Sequence, residues 1–567
     1  MRWVESGDVR LALHEDGDPA NPTVLLLHGY PDTHRVWDEV AARLTGRFHV
    51  VRYDVRGSGA STAPRDRRDY GLDRLMADLE AVLDAVGASR AHLVGHDWGS
   101  IQGWEAVGRP GLAARLASFT SLGGPGTADI ADFARHGRRR DRLTQLVRSW
   151  YIGAFQVPVV PELAWGALVP RLLARVLRRE GALPRDGHPA PTLVRDGRNG
   201  LWLYRANLRG RRPAGTPPVA VPQVDVPVQL VEAAHDGFVT PALAGWCERR
   251  TARLWRRVID AGHWAHRGRP EVVAELIAGF VAHVEGAPPG RELRRARAGR
   301  APRGAFADRL VVVTGAGSGI GLATARAFAA HGGEVVCADV DGAAAARAAE
   351  GIGKDLGGTA WAVQVDVANI DQMAAFSRNI ISEYGVPDIV VNNAGITVAG
   401  PILDHTAEHW RRTIDVNLWG VIHGCRLFGA AMVERGQGGH LVNVASLAAF
   451  APTRLLPAYS VSKAGVKALS DVLRAELAGH GIGVSVVCPG FVSTPMAGHT
   501  TYVGEDRRES AVRWLARRGY PAERVAAHIL RAVHRDEAVV PVNLEGKIGY
   551  ALSRISPRLM RRVARLG

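Results

Sequence analysis

Short apolar runs alternate with longer amphipathic stretches along most of the chain. The runs at 23–29 (TVLLLHG), 48–54 (FHVVRYD) and 91–96 (AHLVGH) each end at a turn signal, and a helical pattern follows each of them. Continuous apolar runs of this length are typical of strands that are buried on both faces. Their alternation with helices predicts a parallel sheet that is covered by helices.

The alternation lapses between about residues 125 and 222, where helical patterns with basic faces and Pro-rich loops take its place. It resumes at VPVQLVEAAHD (226–236) and RLWRRVIDAGHW (253–264). A helical cap inserted into an α/β domain is the simplest explanation of this gap. We therefore predict a first domain over residues 1–285 with a cap over about 125–222.

A change of composition separates this domain from a second one. Residues 286–307 (GAPPGRELRRARAGRAPRGAFA) carry Pro, Gly and six Arg with little apolar content, which is typical of a linker. The segment RLVVVTGAGSGIGLATARAFAAHG (309–332) then begins a new strand–loop–helix unit, and alternation continues to about residue 543. A second α/β domain is predicted over residues 308–567.

The bulk composition restricts the partners. The net charge of +15 comes almost entirely from arginines that are spread along the chain, without a zinc-finger or RNA-binding signature. Solvated basic faces are therefore expected rather than a nucleic-acid partner. Four widely spaced cysteines form no metal-ligand pattern, so no metal is expected, and they fit a reducing cytoplasm. The N-terminus lacks a signal-peptide h-region, and no run of 18 apolar residues is present.

The C-terminal tail (SPRLMRRVARLG, 556–567) is basic and amphipathic. One helical face carries Leu559, Met560, Val563 and Leu566, and the other carries arginines. Such a tail can lie on an anionic inner membrane surface. Packing against its own domain or against a partner subunit is an equal alternative.

The stretch GHDWG (95–99) has the G-x-nucleophile-x-G form of a nucleophile elbow, with Asp97 where a serine is common. A serine that attacked a saturated carbon would form an ether, which no nearby base could cleave. An aspartate forms an ester, which activated water can hydrolyse. Asp97 therefore indicates displacement at a saturated carbon that bears oxygen or halogen.

The elbow also predicts the order of its partners, which is nucleophile, acid and then histidine. Asp236 follows one strand-like run and His263 follows the next, so His263 is the candidate base and Asp236 its orienting acid. The backbone N–H groups of Trp98 and Tyr30 are the candidate oxyanion donors.

The segments HGYPD (28–32), GHDWGS (95–100), EAAHDGFVTP (232–241) and AGHW (261–264) resemble α/β-hydrolases of the epoxide hydrolase and haloalkane dehalogenase type. In epoxide hydrolases two cap tyrosines donate hydrogen bonds to the epoxide oxygen, and the resemblance assigns them to Tyr204 and Tyr151. A halide needs no proton, and the Trp98 indole could serve it, so a dehalogenase is the alternative. A non-catalytic lipid-binding module that serves the second domain is another.

The second domain carries a candidate dinucleotide site. Glycines in VVVTGAGSGIG (311–321) allow a pyrophosphate to approach the start of a helix, and the loop comprises Gly315, Ser318, Gly319, Ile320 and Gly321. Asp339 ends the next strand, where a carboxylate accepts hydrogen bonds from a ribose 2′-OH and repels a 2′-phosphate. Asp339 and the uncharged Ser318 favour NAD(H) over NADP(H).

Downstream, Tyr459 and Lys463 lie at i and i+4 on one helix face, where the ammonium is expected to lower the pKa of the phenol. Tyr459 would then transfer a hydroxyl proton, and Ser446 would hold the substrate oxygen. With VVNNAG (390–395) and AYSVSKAG (458–465), this set resembles the short-chain dehydrogenase/reductase family. That resemblance implies a proton-relay role for Asn417 and a ribose-binding role for Lys463. It further implies cofactor contacts from Asp366, Val367, Asn393, Ala394, Gly395, Pro489, Gly490, Val492 and Thr494.

Together the halves resemble fused epoxide hydrolase–dehydrogenase proteins of actinobacteria, which are associated with lipid epoxides. The resemblance implies hydrolysis of a lipid-like epoxide to a diol, and NAD(H)-dependent oxidation of a secondary alcohol or reduction of a ketone. The fusion itself motivates the hypothesis of a tandem route from epoxide to diol to hydroxyketone. Homo-oligomers through the dehydrogenase domain are also expected.

Overall fold

The structure, a computed structural model, describes residues 1–208, 221–299, 304–451, 454–504 and 508–556. The chain divides into two compact units, Met1–Arg300 and Ala301–Gly567. Each unit is built on its own sheet, and the predicted α/β class is confirmed in both.

An eight-stranded sheet forms the centre of the first unit. Its strands are β1 (Arg2–Ser6), β2 (Val9–Asp16), β3 (Thr23–Leu27), β4 (His49–Tyr53), β5 (Ala91–His96), β6 (Leu116–Leu122), β7 (Val228–Ala233) and β8 (Leu254–Ile259). Their order is β1-β2-β4-β3-β5-β6-β7-β8. Pairing is parallel from β4 to β8, whereas β1 pairs antiparallel with β2 and β2 with β4. All residues of β3, β4, β5 and β6 are buried, as their continuous apolar runs predict.

Helices cover both faces of this sheet. They span Asp38–Leu44, Leu72–Ala85, Trp98–Val107, Pro110–Ala113, Pro241–Ala244, Ala265–Gly268, Pro270–Val284 and Arg291–Ala296. The described residues between β6 and β7 form the helical cap, with helices at Thr127–His136, Arg139–Arg148, Trp150–Phe155, Val160–Trp165, Leu168–Arg179 and Leu193–Asn207. Short 3₁₀ turns occupy His34–Trp37, Arg67–Tyr70 and Gly245–Arg249. The cap therefore joins the sheet at the two strands on either side of the insertion.

The segment that composition predicts to be a linker differs from that prediction in part. Helix Arg291–Ala296 buries Leu293 in a small apolar cluster with Trp255 and Phe280 of the first unit. Arg257 Nη2 donates to Glu292 Oε2 at 2.8 Å. Composition misled here because Leu293 and the stacking of Arg297 on Trp255, with a hydrogen bond from the Ala298 N–H to the Leu254 carbonyl, attach an arginine-rich stretch to β8.

A seven-stranded, wholly parallel sheet forms the centre of the second unit. Its strands are β9 (Leu310–Thr314), β10 (Glu334–Asp339), β11 (Ala360–Gln364), β12 (Ile389–Asn392), β14 (Gly439–Val444), β15 (Ile482–Cys488) and β19 (Val539–Pro541). The order is β11-β10-β9-β12-β14-β15-β19, so it reverses between β9 and β12. Ligands of such sheets bind at the carboxyl ends of the strands beside this reversal. Two small pairs lie outside it, β13 (Val398–Ala399) with β17 (Thr501–Tyr502) and β16 (Val492–Ser493) with β18 (Tyr520–Pro521).

The helices of the second unit lie on both faces of its sheet. They span Gly319–Ala330, Gly342–Leu356, Ile370–Tyr384, Ala407–Ile414, Gly420–Arg435, Pro457–Leu477, Met496–His499, Arg508–Arg518, Ala522–Arg535 and Leu544–Ile555. Asp415–Trp419 forms a π-helical turn, and 3₁₀ turns lie at Ile402–Asp404, Leu447–Ala449 and Ala478–His480.

Among the described residues, one helical stretch, Ala407–Arg435, is long and apolar enough to cross a membrane. Half of an apolar 18-residue segment within it is buried inside the unit. The stretch contains the predicted relay residue Asn417. The amphipathic tail, with Leu559, Met560, Val563 and Leu566, lies outside the described residues.

Candidate active sites

The turn after β5 has the strained geometry that a nucleophile elbow requires. Asp97 has φ 51° and ψ −118°, and helix Trp98–Val107 begins at the next residue. A Cβ at Gly95 would lie 2.4 Å from the Gly99 carbonyl oxygen, and one at Gly99 would lie 2.2 Å from that of Leu27. The two glycines of the motif therefore permit a close approach that presents Asp97 above the sheet.

The structure brings the three predicted catalytic residues together. His263 Nε2 lies 3.8 Å from Asp97 Oδ2, and His263 Nδ1 lies 3.0 Å from Asp236 Oδ2. The other oxygen of Asp236 accepts hydrogen bonds from the backbone N–H groups of Phe238 at 2.7 Å and Val239 at 2.9 Å. Asp236 is thereby fixed, and it in turn orients the imidazole toward Asp97.

The charges of this triad shift the pKa values of His263 and Asp236, which form a buried ion pair. Burial by itself would lower the pKa of His263, but the charge and hydrogen bond of Asp236, together with Asp97, raise it well above its usual value. Burial would likewise raise the pKa of Asp236, but His263 outweighs that effect and lowers it. These contacts therefore favour the protonated, imidazolium form of His263 in the resting site.

One of the two predicted oxyanion donors already contacts the nucleophile. The backbone N–H of Tyr30 donates to Asp97 Oδ1 at 2.8 Å, and the Tyr30 hydroxyl donates to the Gly197 carbonyl at 2.8 Å. Trp98 begins the elbow helix, where backbone N–H groups have no partner within the helix. Its role as the second donor stays a prediction.

Asp97 and His263 open into a cavity of about 560 Å³ between the sheet and the cap. Both cap tyrosines that the sequence predicts line this cavity. The Tyr151 and Tyr204 rings lie 6.1 Å apart between centroids, and the Tyr204 ring packs edge-on against Trp98 at 5.1 Å. Most of the remaining lining is apolar, so the cavity suits a long apolar substrate.

The two phenols are held in their protonated form. Burial and the negative charge of Asp97 raise the pKa of Tyr151. Burial, Tyr151 and Asp97 raise the pKa of Tyr204. Both side chains are consequently hydrogen-bond donors at neutral pH, which is the state needed beside a developing alkoxide.

Two acidic residues that support the histidine loop are absent from the sequence-based prediction. Glu180, at the end of a cap helix, accepts a hydrogen bond from the Trp264 backbone N–H at 3.0 Å. Asp32 accepts one from Trp264 Nε1 at 2.9 Å and contacts His188 Nε2 at 3.0 Å. Asp32 stands in the HGYPD motif and could have been noted there. Glu180 carries no local signal, because the cap fold alone brings it to this loop.

In the second unit the glycine loop joins β9 to helix Gly319–Ala330. A Cβ at Gly321 would lie 2.0 Å from the Gly315 carbonyl oxygen, and Gly315 has φ 66°. The Gly317 N–H donates to Asp339 Oδ2 at 2.8 Å, so the loop and the acid that ends β10 are directly linked. Ser318 stands at the N-cap position of this helix and is exposed. This cradle of glycines at a helix N-terminus fits a dinucleotide pyrophosphate.

The predicted hydride-transfer residues also lie together. A Cβ at Gly395 would be 3.3 Å from Asn417 Oδ1 and 3.5 Å from Lys463 Nζ. Lys463 Nζ donates to the Val444 carbonyl at 2.8 Å and lies 5.8 Å from the Tyr459 ring centroid. Asn417 is in the π-helical turn. Its Oδ1 accepts a hydrogen bond from the Ile396 N–H at 2.8 Å, and its Nδ2 donates one to the Ile396 carbonyl at 2.9 Å.

The expected pKa of Tyr459 is not what the structure shows. Burial raises the pKa of the phenol, and the Ser446 side chain offsets this only in part. Burial also lowers the pKa of Lys463 to about 8. Desolvation is the largest cause, so the pKa of the phenol is not lowered as the i, i+4 spacing of Tyr459 and Lys463 predicts.

The remaining predicted cofactor residues follow the carboxyl ends of the strands. Asn393 Nδ2 donates to the Thr314 carbonyl at 3.0 Å, and the Thr494 side chain lies 3.2 Å from where a Cβ of Gly319 would be. The others are Ile320 in the first helical turn, Asp366 and Val367 after β11, Ala394 after β12, Pro489 and Gly490 after β15, and Val492 in β16. Sequence reasoning missed Asn543, whose Oδ1 accepts the Gly490 N–H at 3.0 Å and thereby fixes that loop.

Each of the two units matches a known protein family. The family model described as "alpha/beta hydrolase fold" matches residues 22–270, and that described as "short chain dehydrogenase" matches residues 309–502. A full-length relative, "Probable oxidoreductase EphD" of Mycobacterium tuberculosis, is 41% identical over 586 residues, which covers 100% of this chain and 98% of the relative.

Other relatives match the second unit alone. The 1-deoxy-11-beta-hydroxypentalenate dehydrogenase of Streptomyces exfoliatus is 40% identical over 190 residues, covering 33% of this chain and 69% of the relative. A solved short chain dehydrogenase/reductase from Burkholderia phymatum, in complex with NAD, is 29% identical, with a TM-score of 0.41, and the match covers 45% of this chain and 95% of that one.

Proposed function

Since the chain belongs to the family of proteins that join an α/β-hydrolase domain to a short-chain dehydrogenase domain, we propose that its first domain hydrolyses a lipid-like epoxide to a vicinal diol. The observation that carries this proposal is that Asp97, His263 and two protonated tyrosines face one largely apolar cavity. An aspartate nucleophile accounts for attack at saturated carbon, and the phenols account for an oxygen leaving group.

In the first step a carboxylate oxygen of Asp97 attacks a ring carbon of the epoxide. A bond forms between that oxygen and the carbon, and the carbon–oxygen bond of the ring breaks. The electron pair of this bond remains on the ring oxygen, which takes a proton from Tyr151 or Tyr204. The product is a hydroxyalkyl ester of Asp97.

In the second step His263 acts as a base. Esterification removes the negative charge of Asp97, one of the groups that raises the pKa of His263, so the pKa falls and the imidazolium returns its proton to the phenolate left by the first step. The neutral imidazole can then accept a proton. His263 takes that proton from a water, which attacks the ester carbonyl. The developing oxyanion is stabilised by the N–H groups of Tyr30 and Trp98. The bond between the acyl carbon and the alkoxy oxygen breaks, and the leaving alkoxide takes the proton of the new carboxylic acid, so the diol leaves and Asp97 is again a carboxylate.

The direct test is mass spectrometry of the products from a panel of fatty epoxides, with and without NAD⁺. We expect a diol from each substrate that the enzyme accepts. A protein that binds these lipids without forming diol would contradict the proposal and would favour a lipid-binding module. Conversion of the diol to a hydroxyketone when NAD⁺ is present would support the tandem route, and a diol that persists would contradict it.

Replacing the cap tyrosines distinguishes an epoxide hydrolase from a dehalogenase. In Tyr204→Phe we expect epoxide turnover to fall about 10²-fold, because a proton donor to the alkoxide is lost, and the double variant with Tyr151→Phe should fall further. Any turnover of a haloalkane should be unchanged, since halide needs no proton. Steady-state kinetics on both substrate classes measures this, and unchanged epoxide turnover in the double variant would refute the assignment.

We propose that the second domain oxidises a secondary alcohol or reduces a ketone with NAD(H). The glycine loop with Asp339 would hold the adenosine half, and Lys463 would hold the nicotinamide ribose. When bound, NAD(H) accepts or supplies the hydride at the carbinol carbon. Ser446 would hold the substrate oxygen while Tyr459 accepts or returns its hydroxyl proton, and Asn417 would connect this proton to solvent.

The preference for NAD(H) rests on Asp339. Its two oxygens accept backbone hydrogen bonds from Gly317 and from Asp341 at 3.0 Å, so the carboxylate is held in position. In Asp339→Asn, which keeps an acceptor but removes the charge, the ratio of kcat/KM for NADP⁺ to that for NAD⁺ should rise about tenfold to a hundredfold. A wild-type enzyme that uses NADP⁺ as efficiently as NAD⁺ would contradict this assignment.

A further inference from the structure

The cap helix Arg139–Arg148 turns its apolar residues outward. Leu143, Leu146 and Val147 follow the spacing of one helical face, and Trp150 continues it just beyond the helix. These four side chains, the apolar cap face, are between 63% and 72% exposed. Single exposed apolar residues are normal in proteins, but a contiguous set of this size indicates an interaction surface.

The opposite side of this helix attaches it to the hydrolase domain through polar groups. Gln145 Nε2 donates to the Phe238 carbonyl at 2.9 Å, and Arg148 Nη1 donates to the Asp236 carbonyl at 2.7 Å. The helix is therefore held in this orientation by specific hydrogen bonds to the loop of the catalytic acid. These hydrogen bonds therefore fix the outward orientation of its apolar face.

The apolar cap face is continuous with the cavity of the first domain. Leu143 and Leu146 belong both to this face and to the lining of the cavity, which also includes Arg139 and Arg142 at the start of the same helix. The mouth of the cavity consequently opens beside the exposed leucines. A lipid chain can pass from this surface to Asp97 along apolar side chains.

The segment of the cap that contains this helix is strongly basic. Residues 135–179 contain ten arginines and two acidic residues. Further exposed apolar side chains lie in the following part of the cap, at Val157, Val159, Val160, Leu163, Leu168 and Leu172. Exposed leucines, valines and a tryptophan among arginines match an interface of acyl chains and anionic headgroups.

We propose that the apolar cap face docks on an anionic lipid surface, from which a lipid substrate enters the cavity past Leu143 and Leu146. The identity of that substrate rests on the proposed epoxide hydrolase function, whereas the docking itself does not. The basic C-terminal tail predicted from the sequence is another candidate for contact with anionic lipid, so the test distinguishes the two.

Co-sedimentation of the full-length protein with vesicles tests the docking. We expect binding to vesicles of phosphatidylcholine mixed equally with phosphatidylglycerol, and weaker binding to phosphatidylcholine alone. The double variant Val147→Glu/Trp150→Glu should bind the mixed vesicles at least about tenfold more weakly. Arg138→Glu/Arg140→Glu, which reverses two exposed charges, should also weaken binding, and high salt should act in the same direction. The matched control Val258→Glu, at an exposed valine on β8, should bind as the wild type does.

Turnover of a short, water-soluble epoxide separates the two proposals. Val147→Glu/Trp150→Glu should retain this turnover, because neither residue lines the cavity, and should lose turnover of a long-chain epoxide presented in vesicles.

Vesicle binding that the double variant leaves unchanged would overturn the docking and assign it to the tail. No vesicle binding, with a change of oligomeric state in the double variant, would overturn it in favour of a second copy of the chain. Vesicle binding that the double variant loses, in a protein inactive on every epoxide, would refute only the enzymatic proposal.

Discussion

In His263→Gln the hydrolase site should react once with an epoxide and then stop. Asp97 retains its position, because its contact with the Tyr30 N–H does not involve the histidine, and the two tyrosines can still protonate the alkoxide. The ester then persists, since no base remains to activate water. Steady-state turnover should fall roughly 10²–10⁴-fold or more. Intact mass spectrometry should show one substrate added per chain, and peptide mapping should place it on Asp97.

The double variant Asp97→Asn/His263→Gln is the control, because it lacks the nucleophile and should carry no adduct. An adduct on another residue, or multiple turnover without His263, would contradict the two-step ester mechanism. The dehydrogenase activity of His263→Gln should equal that of the wild type, which shows that the second unit is folded, and the adduct on Asp97 itself shows that the first unit is folded. Failure of the ester to form while a fatty epoxide still binds would favour a lipid-binding module.

In Tyr459→Phe the oxidoreductase activity should fall roughly 10²–10⁴-fold, while epoxide hydrolysis is unchanged. The phenol is the group placed to exchange the hydroxyl proton, and Ser446 can hold the substrate oxygen but does not replace that proton. Binding of NAD(H) should be nearly unaffected, because the glycine loop and Asp339 are distant in the chain and are held by their own hydrogen bonds. Absorbance of NADH during turnover and quenching of protein fluorescence on its binding measure the two quantities.

Lys463→Ala provides the contrasting variant. Its ammonium is bound to the Val444 carbonyl and faces the side of the site expected to contain the ribose, so we expect a loss of NAD(H) affinity together with a loss of turnover. Should Tyr459→Phe instead weaken NADH binding as strongly as Lys463→Ala does, a positioning role for the phenol would replace the proposed acid–base role.

The two candidate sites could be recognised from local patterns. A nucleophile elbow and a glycine loop each require particular residue types at adjacent positions, because a strained turn or a close backbone approach tolerates few alternatives. Asp97, Gly315 and Tyr459 are therefore recognisable without a structure. The strand that precedes each motif is likewise evident, since strands buried on both faces are continuously apolar.

Long-range features could not be predicted in the same way. Glu180 and Asn543 reach their sites through the packing of a cap helix and of the last strand, and no local pattern marks such contacts. The pKa of Tyr459 also depends on burial, which its spacing from Lys463 does not reveal. The helix Arg291–Ala296 has a linker-like composition, yet it packs on the first unit through Leu293.

The sequence by itself thus determined the two folds and identified the candidate nucleophile, acid and base and the candidate dinucleotide loop, because each depends on short-range geometry that few residues satisfy. Only the tertiary structure decided that both cap tyrosines share a cavity with Asp97, and that helix Arg139–Arg148 turns its leucines outward. Amphipathic periodicity shows that a helix has an apolar face. Which way that face points is decided by the hydrogen bonds on its other side.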